Sequence, residues 1–370
     1  MKNNLTTFVY IGGRQSRINE SDIFPKEFYY GFFEFKSKYQ NVEMFELNKP
    51  NRSKIVIFLD KVMVKIFNLP IGFANVLTLR TVRQFKKSSN LILINEHVFF
   101  STLIILFFLK VLKRVKITVF LMGMFEKIEV NNFLQKILIK FSFFVSDNLI
   151  FLGEGEFNYA NKFYKNYKEK FYYIPFCVDQ NFWEISEKYN LANRDFILFI
   201  GNDLNRDFEH LIEIVNLLQD EKFKIISTRI DEELIKLPNV EIVKGSWHNR
   251  KLSDEELRDL YAMSKLVIIP LFDTIQPSGQ SVALQSMSCR TPVIISNTRG
   301  FWDSKSFIED NNIFFFENNI PDDSVIKIRN LLKNQHKLNL VSANAYRTVR
   351  HKYSLDNFAE SLEKIVFKAN

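Results

Sequence analysis

Two cysteines in 370 residues, Cys177 and Cys289, stand in unrelated contexts. That excludes a disulfide framework and a cysteine metal site, and it fits a reducing compartment. The opening Met1-Lys2-Asn3-Asn4 leads straight into a strand-like segment rather than an apolar signal core. The apolar run 98–109 has twelve residues, short of the about 20 that a membrane-crossing helix needs. Repeats at solenoid periods and low-complexity linkers are missing. Histidine is sparse, at five.

What is present points to two domains. A hydrophobic fraction of 46% fills sizeable cores, and 25% charge is ordinary for a soluble protein. Phenylalanine, at 39, is abundant in predicted cores and loops alike, which reads as coding bias. Residues 1–180 hold 26 Lys/Arg against 15 Asp/Glu, a net +11, and the remainder holds 24 against 27, a net −3. A basic half beside a near-neutral one suggests a domain that faces something acidic, or simply scattered solvated lysines. A nucleic-acid binder would show basic and aromatic residues interleaved on one face, or a recognisable module, and neither is found.

Short apolar runs alternate with longer amphipathic stretches, the pattern of an α/β architecture with parallel sheets. Strands are predicted at 6–11, 42–47, 91–95, 117–121, 148–152 and 172–175, with helices at 54–67, 101–112, 133–144 and 156–164. A second series of strands falls at 196–200, 224–227, 240–243, 266–270, 293–296 and 313–316. The domains are placed at 1–180 and 190–350, joined within the polar stretch 178–195. A capped amphipathic helix over 354–368 is expected to cross back to the first domain.

The run 98–109, followed by Lys110, Lys113, Arg114 and Lys116, has two readings. It is a buried helix of the first sheet, or an interfacial helix whose lysines meet anionic headgroups.

The most informative stretch is 276–296, which begins Gln276-Pro277-Ser278-Gly279-Gln280-Ser281. It reads as a tight turn, a short helix capped at Ser278 or Gly279, a second turn at Arg290-Thr291-Pro292 and a buried strand. The free N–H groups of such a helix suit a phosphate. The whole motif resembles the nucleotide-sugar site of glycosyltransferase family 4, of the GT-B class. The resemblance runs from about residue 147 to about 303, with weaker agreement outside it. Tyr172-Tyr173-Ile174-Pro175-Phe176-Cys177-Val178-Asp179 resembles the family's interdomain link, and 196–201 its first donor-domain strand, ending in Gly201. The resemblance implies two Rossmann-like domains with parallel sheets facing across a cleft.

It also implies roles. Ser278, Gly279, Gln280 and Ser281 would hold the diphosphate, and Gln285 would reach the ribose. Asn202 stands at the family's arginine position, with Arg206 in place of its lysine; Arg206 would stabilise charge on the leaving diphosphate, or else pair with Asp207 or Glu209 on a helix surface. Gly12 and Gly13 resemble the glycine loop under the donor, though a plain tight turn reads the same. His97, at a strand end, is a candidate contact to sugar or acceptor, or a structural residue. Two departures stand out: Pro277 replaces an acid that touches the sugar, and Met122 replaces a histidine, so no catalytic base is assigned. No metal motif is present and no cofactor is expected. The implied function is retaining transfer of a hexose from a nucleotide-diphosphate sugar to a lipid-linked, glycolipid or polysaccharide acceptor. The implied setting is the inner face of the cytoplasmic membrane, with an anionic surface and no nucleic acid as partner. The alternative is a GT-B protein that binds nucleotide-sugar without transfer, or with other chemistry such as epimerisation.

Overall fold

The computed structural model describes residues 5–20, 23–47, 54–73, 78–113, 115–128, 132–185, 194–230, 237–245, 251–317 and 320–368. They form two compact units, Met1–Pro175 with Asp356–Asn370, and Phe176–Leu355.

Unit 1 carries β1 (Thr6–Ile11), β2 (Val42–Leu47), β3 (Asn90–Ile94), β4 (Lys116–Leu121), β5 (Asn148–Phe151) and β6 (Phe171–Tyr173). All pairings are parallel, in the order β2-β1-β3-β4-β5-β6. Between them run α1 (Arg14–Glu20), α2 (Phe32–Lys38), α3 (Lys54–Phe67), α4 (Leu79–Lys87), α5 (Glu96–Lys113), α6 (Phe133–Val145) and α7 (Glu154–Phe163). The inner strands are buried on both faces, so they read as unbroken apolar runs rather than alternating ones.

In unit 2 the helices are α8 (Gln180–Trp183), α9 (Phe208–Leu217), α10 (Asp254–Met263), α11 (Gln280–Ser288), α12 (Pro321–Lys333) and α13 (Gln335–Lys352). The strands are β7 (Phe196–Ile200), β8 (Lys222–Ile226), β9 (Val240–Val243), β10 (Ser264–Ile269), β11 (Val293–Ser296) and β12 (Phe314–Phe316), in the parallel order β12-β11-β10-β7-β8-β9. Counted within the unit this is a Rossmann sheet, whose order reverses between β7 and β10. Ligands of such sheets bind beyond the carboxyl ends of the strands at that reversal.

The last helix, α14 (Leu355–Val366), is part of the packing of unit 1. Its Phe358 stacks on Phe120 at 5.8 Å between ring centroids, and Phe367 just beyond it stacks on Phe35 at 5.9 Å. Gly31, at φ +84°, lies against Ala359 and Leu362.

Three details differ from the sequence reading. The chain passes between units at Pro175-Phe176, ahead of the stretch 178–195, because Val178 already bonds Tyr353 within unit 2 (N to O, 2.9 Å). The helix predicted at 101–112 starts at Glu96, since Asn95 (φ 98°) turns the chain and its side-chain oxygen accepts from the Val98 N–H at 3.0 Å. Helices α1, α2 and α4 in unit 1, and α8, α9, α12 and α13 in unit 2, add to those predicted.

The run 98–109 is mostly core: Val98, Phe99, Phe100, Leu103, Leu106 and Leu109 are all buried. Among the described residues no helix is long and apolar enough to cross a membrane.

Candidate functional site

At the reversal point of unit 2 two loops are stitched together. The loop after β7 holds Gly201 to Asp207, and the loop after β10 leads into α11. Asp207 N–H donates to Pro270 O and Phe272 N–H to Asn205 O, both at 3.0 Å. Asn205 Nδ2 donates to Ser278 Oγ at 2.8 Å. Gly279 is the N-cap of α11, at φ +75°, with no side-chain cap. Helix geometry leaves the first N–H groups, those of Gln280, Ser281 and Val282, without partners inside the helix.

Arg206 lies beside them. It is 3% exposed, and its Nε is 2.9 Å from the Asp203 carboxylate. A Cβ placed on Gly201 would fall 2.5 Å from Nε, and one on Gly279 would fall 3.1 Å from Nη1. The guanidinium is therefore packed across two glycines at the mouth of α11. Its Nη1 is buried with no hydrogen-bond partner among the described residues, and the Gln280 side-chain oxygen is in the same condition. A buried cationic donor without an acceptor is costly alone and favourable once an anion arrives. Of the two readings of Arg206, the surface pair with Asp207 or Glu209 is not what forms: Asp207 caps α9 through the His210 N–H at 3.0 Å.

Other candidates are placed differently. The Asn202 side chain is fully engaged within unit 2. Its oxygen accepts from Thr228 N–H at 2.7 Å, Thr228 Oγ1 at 2.8 Å and Ser227 Oγ at 3.2 Å, and its nitrogen donates to Gly245 O at 2.9 Å. It ties the ends of β7 and β8 together instead of presenting a donor contact. Gln285 is buried, and its oxygen accepts from the Tyr261 hydroxyl at 3.0 Å. Both cysteines are buried and outside any disulfide, and the Cys289 thiol donates to Trp183 O at 3.1 Å.

In unit 1 the glycine loop after β1 already holds an anion, one of the chain's own. Glu46 of β2, opposite Tyr10 in the parallel register, accepts from the N–H groups of Gly13 at 3.3 Å, Arg14 at 2.5 Å and Gln15 at 2.8 Å. The amides expected to lie under a donor phosphate are thus occupied by a carboxylate. Gly13 is at φ 111°, while a Cβ on Gly12 would meet nothing nearer than Leu47 O at 3.7 Å.

His97 is half-buried in the first turn of α5, beside Glu96. Glu96 accepts from Met122 N–H at 3.1 Å, and the buried Glu156 accepts from Gly123 N–H at 2.9 Å and Phe125 N–H at 3.0 Å. Burial, with Glu96 nearby, pushes the Glu156 carboxyl up to about 8. These two acids brace the segment 122–125 and carry no sequence motif that announces them.

In the basic cluster after 98–109, two of the four residues have partners within unit 1. Lys110 pairs with Asp147, and Lys116 starts β4 and donates to Lys368 O at 2.8 Å. The Lys113 side chain and Arg114 lie outside the described residues. Among the described residues no group of three or more His, Cys, Asp or Glu side chains is placed to hold a metal ion.

Residues 194–334 match the family described as glycosyl transferases group 1. The whole chain is similar in structure to Anabaena HepE solved with UDP-glucose, at a TM-score of 0.66 and 12% identity, covering 97% of this chain and 98% of the other. It is likewise similar to sucrose-phosphate synthase from Thermosynechococcus elongatus, at a TM-score of 0.68, 12% identity and 98% of both chains. A third is a glycosyltransferase from Rickettsia africae, at a TM-score of 0.61, 12% identity, 99% of this chain and 100% of the other. The chain has the GT-B glycosyltransferase fold. No curated protein matches the sequence. Within that fold, the matched stretch contains both Arg206 and the whole of α11.

Proposed function

We propose that the protein is a retaining glycosyltransferase that moves a hexose from a nucleotide-diphosphate sugar to a lipid-linked, glycolipid or surface-polysaccharide acceptor at the inner face of the cytoplasmic membrane. The observation that carries the donor half is the buried, partnerless edge of Arg206 at the N-terminus of α11. A diphosphate there would meet a fixed cation and converging backbone N–H groups together. The bond from the sugar's anomeric carbon to the diphosphate breaks, and an acceptor oxygen bonds that carbon on the same face. The acceptor's proton passes to the departing phosphate oxygen. This chain's part is to hold the two partners and to stabilise the leaving charge, with Arg206 as the principal electrostatic group.

The fold supports the reading, and so does the HepE relative, which was solved with UDP-glucose. A thermal-shift series with UDP-, GDP- and ADP-sugars tests it, because a ligand that binds only the folded state raises stability with concentration. A shift with one of these sugars, absent in Arg206→Gln, supports the donor site; no shift with any of them removes it. One observation favours the second reading, binding without transfer: Glu46 occupies the unit 1 amides expected under the donor. Donor consumption without an added acceptor, or its complete absence with every acceptor tried, separates the two.

A further inference from the structure

We propose that the outer face of α3, α6 and the end of α5 in unit 1 is a docking surface for an anionic lipid bilayer. This deepens the membrane part of the function proposed above and is independent of the donor site. Ten of the fourteen residues of α3 are apolar, and none of the fourteen is buried. Ile55 is 73% exposed and Phe58 65%. A helix that apolar, with no residue fully buried, is not explained by the packing of unit 1.

Its neighbour α6 shows how far the face extends. Gln135, Ile139, Ser142 and Phe143 point into the core, while Phe133, Ile137 and Phe144 point outward at helical spacing and are exposed. Asn132, the N-cap of α6, donates to Ile66 O at 2.8 Å, which joins α6 to the end of α3. Phe141 meets Phe107 of α5 at 5.3 Å between centroids, and the exposed Ile104, Phe108, Val111 and Leu112 continue the face along α5. Three adjacent helices therefore present apolar side chains to the outside.

The charge around this face selects the occupant. Helices α3 and α6 together carry Lys54, Lys61, Lys65, Lys136 and Lys140, five cations, against the single Asp60, a net +4. Asp60 accepts from Phe73 N–H at 2.8 Å. Apolar side chains flanked by lysines are what an interfacial helix lays into a bilayer, with the ammonium groups among anionic headgroups. The basic cluster at residues 110–116 is not part of this account, since Lys110 and Lys116 have protein partners.

Co-sedimentation of the full chain with phosphatidylcholine vesicles, with and without phosphatidylglycerol, tests the surface. Binding is expected only with the anionic lipid, and it should weaken as salt rises toward 1 M, where screening shortens to about 3 Å. Each lysine at an anionic surface is worth about a fivefold change in partition, so changing all five to Gln should lower binding by at least about a hundredfold. The triple variant Phe58→Ser, Phe133→Ser, Phe144→Ser should lose binding as well, without loss of thermal stability. Changing Lys162, Lys165 and Lys168, exposed elsewhere on unit 1, should have a much smaller effect. Equal binding to neutral and anionic vesicles, or none to either, overturns the proposal. So does a concentration-dependent dimer that the Phe variant abolishes while vesicles are ignored. Nucleotide-sugar thermal shifts on the same variants keep this outcome separate from failure of the donor site.

Discussion

At the scale of single residues, Arg206 and Gly279 divide the work of the candidate site. Arg206 supplies charge, and Gly279 supplies a conformation. Removing one transition-state donor commonly costs about 100- to 1,000-fold in turnover, so Arg206→Ala should reduce turnover by about one to three orders of magnitude. Its ion-pair partner Asp203 is nearly half exposed, so the pair contributes little stability and the melting temperature should move little. A large drop in melting temperature with intact turnover per folded molecule would make Arg206 a structural residue. Gly279 behaves otherwise than its sequence position suggests. A side chain there would not simply fill space needed by a phosphate, because its Cβ would fall 2.8 Å from Ile269 Cγ2 and 3.0 Å from Ile295 Cδ1. With φ at +75°, Gly279→Ala should cost at least about 1–2 kcal/mol of stability, and Gly279→Val more. Urea midpoints measure this, and an unchanged midpoint would show that the turn relaxes freely.

At the scale of elements, the Glu46 carboxylate and the N-terminus of α1 form a unit assembled from parts far apart in the chain. A charge placed at a helix N-terminus contributes up to about 2 kcal/mol in partly buried geometry. Glu46→Gln should therefore destabilise unit 1 while leaving nucleotide-sugar affinity where it was. Tighter donor binding in that variant would mean that Glu46 guards a phosphate position in the glycine loop. The terminal helix α14 invites a parallel test. Deleting residues 356–370 uncovers Phe120 and Phe35 in unit 1, so unit 1 should melt earlier. All three tryptophans, Trp183, Trp247 and Trp302, fall within 176–355, so tryptophan fluorescence follows unit 2 alone. That signal should keep its midpoint while circular dichroism reveals an earlier transition.

Elements of this kind also mark where the sequence is legible. Strands β1, β2, β7, β9 and β11 and helix α3 are bounded to the residue by sequence pattern. The buried strands β1, β7 and β11 are short, mostly apolar runs, the edge strands β2 and β9 are short apolar runs broken by Glu43, Glu46 and Glu241, and α3 repeats its apolar residues at helical spacing. Helices α1 and α2 escape it because each is only seven residues long, about two turns; α4, nine residues long, is amphipathic at helical spacing and is legible but goes unread. The turn into α11 is readable because its residues are contiguous. The contacts of Glu46, Glu96 and Asn202 are not, since each depends on which strand lies beside which. Nor does periodicity reveal that α3 buries none of its residues fully: an apolar stripe looks the same however much of it the fold covers.

At the scale of the whole molecule, the two units should respond to pH in opposite directions. Glu156 of unit 1 has a folded pKa of about 8 against 4.5 for the ordinary group. Between those values the folded state keeps a proton that the unfolded state has lost, so stability is greatest at the acidic end and falls as pH rises from about 4.5 to about 8. In unit 2, burial lowers the pKa of His210, which is bonded to Ser324 Oγ at 2.9 Å. Below its ordinary value of 6.5 the unfolded chain takes up a proton that the folded state resists, so that contribution is present at higher pH and lost as pH falls. Tryptophan-fluorescence melting should therefore weaken below pH 6.5, and the component of the circular dichroism melt outside it should weaken toward pH 8. The variants separate the causes: Glu156→Gln should flatten the second trend alone, though at a cost of about 1–3 kcal/mol for the N–H group it leaves poorly satisfied. His210→Gln should flatten the first. Parallel pH profiles for the two signals, or trends that survive both substitutions, would assign the pH dependence to other groups.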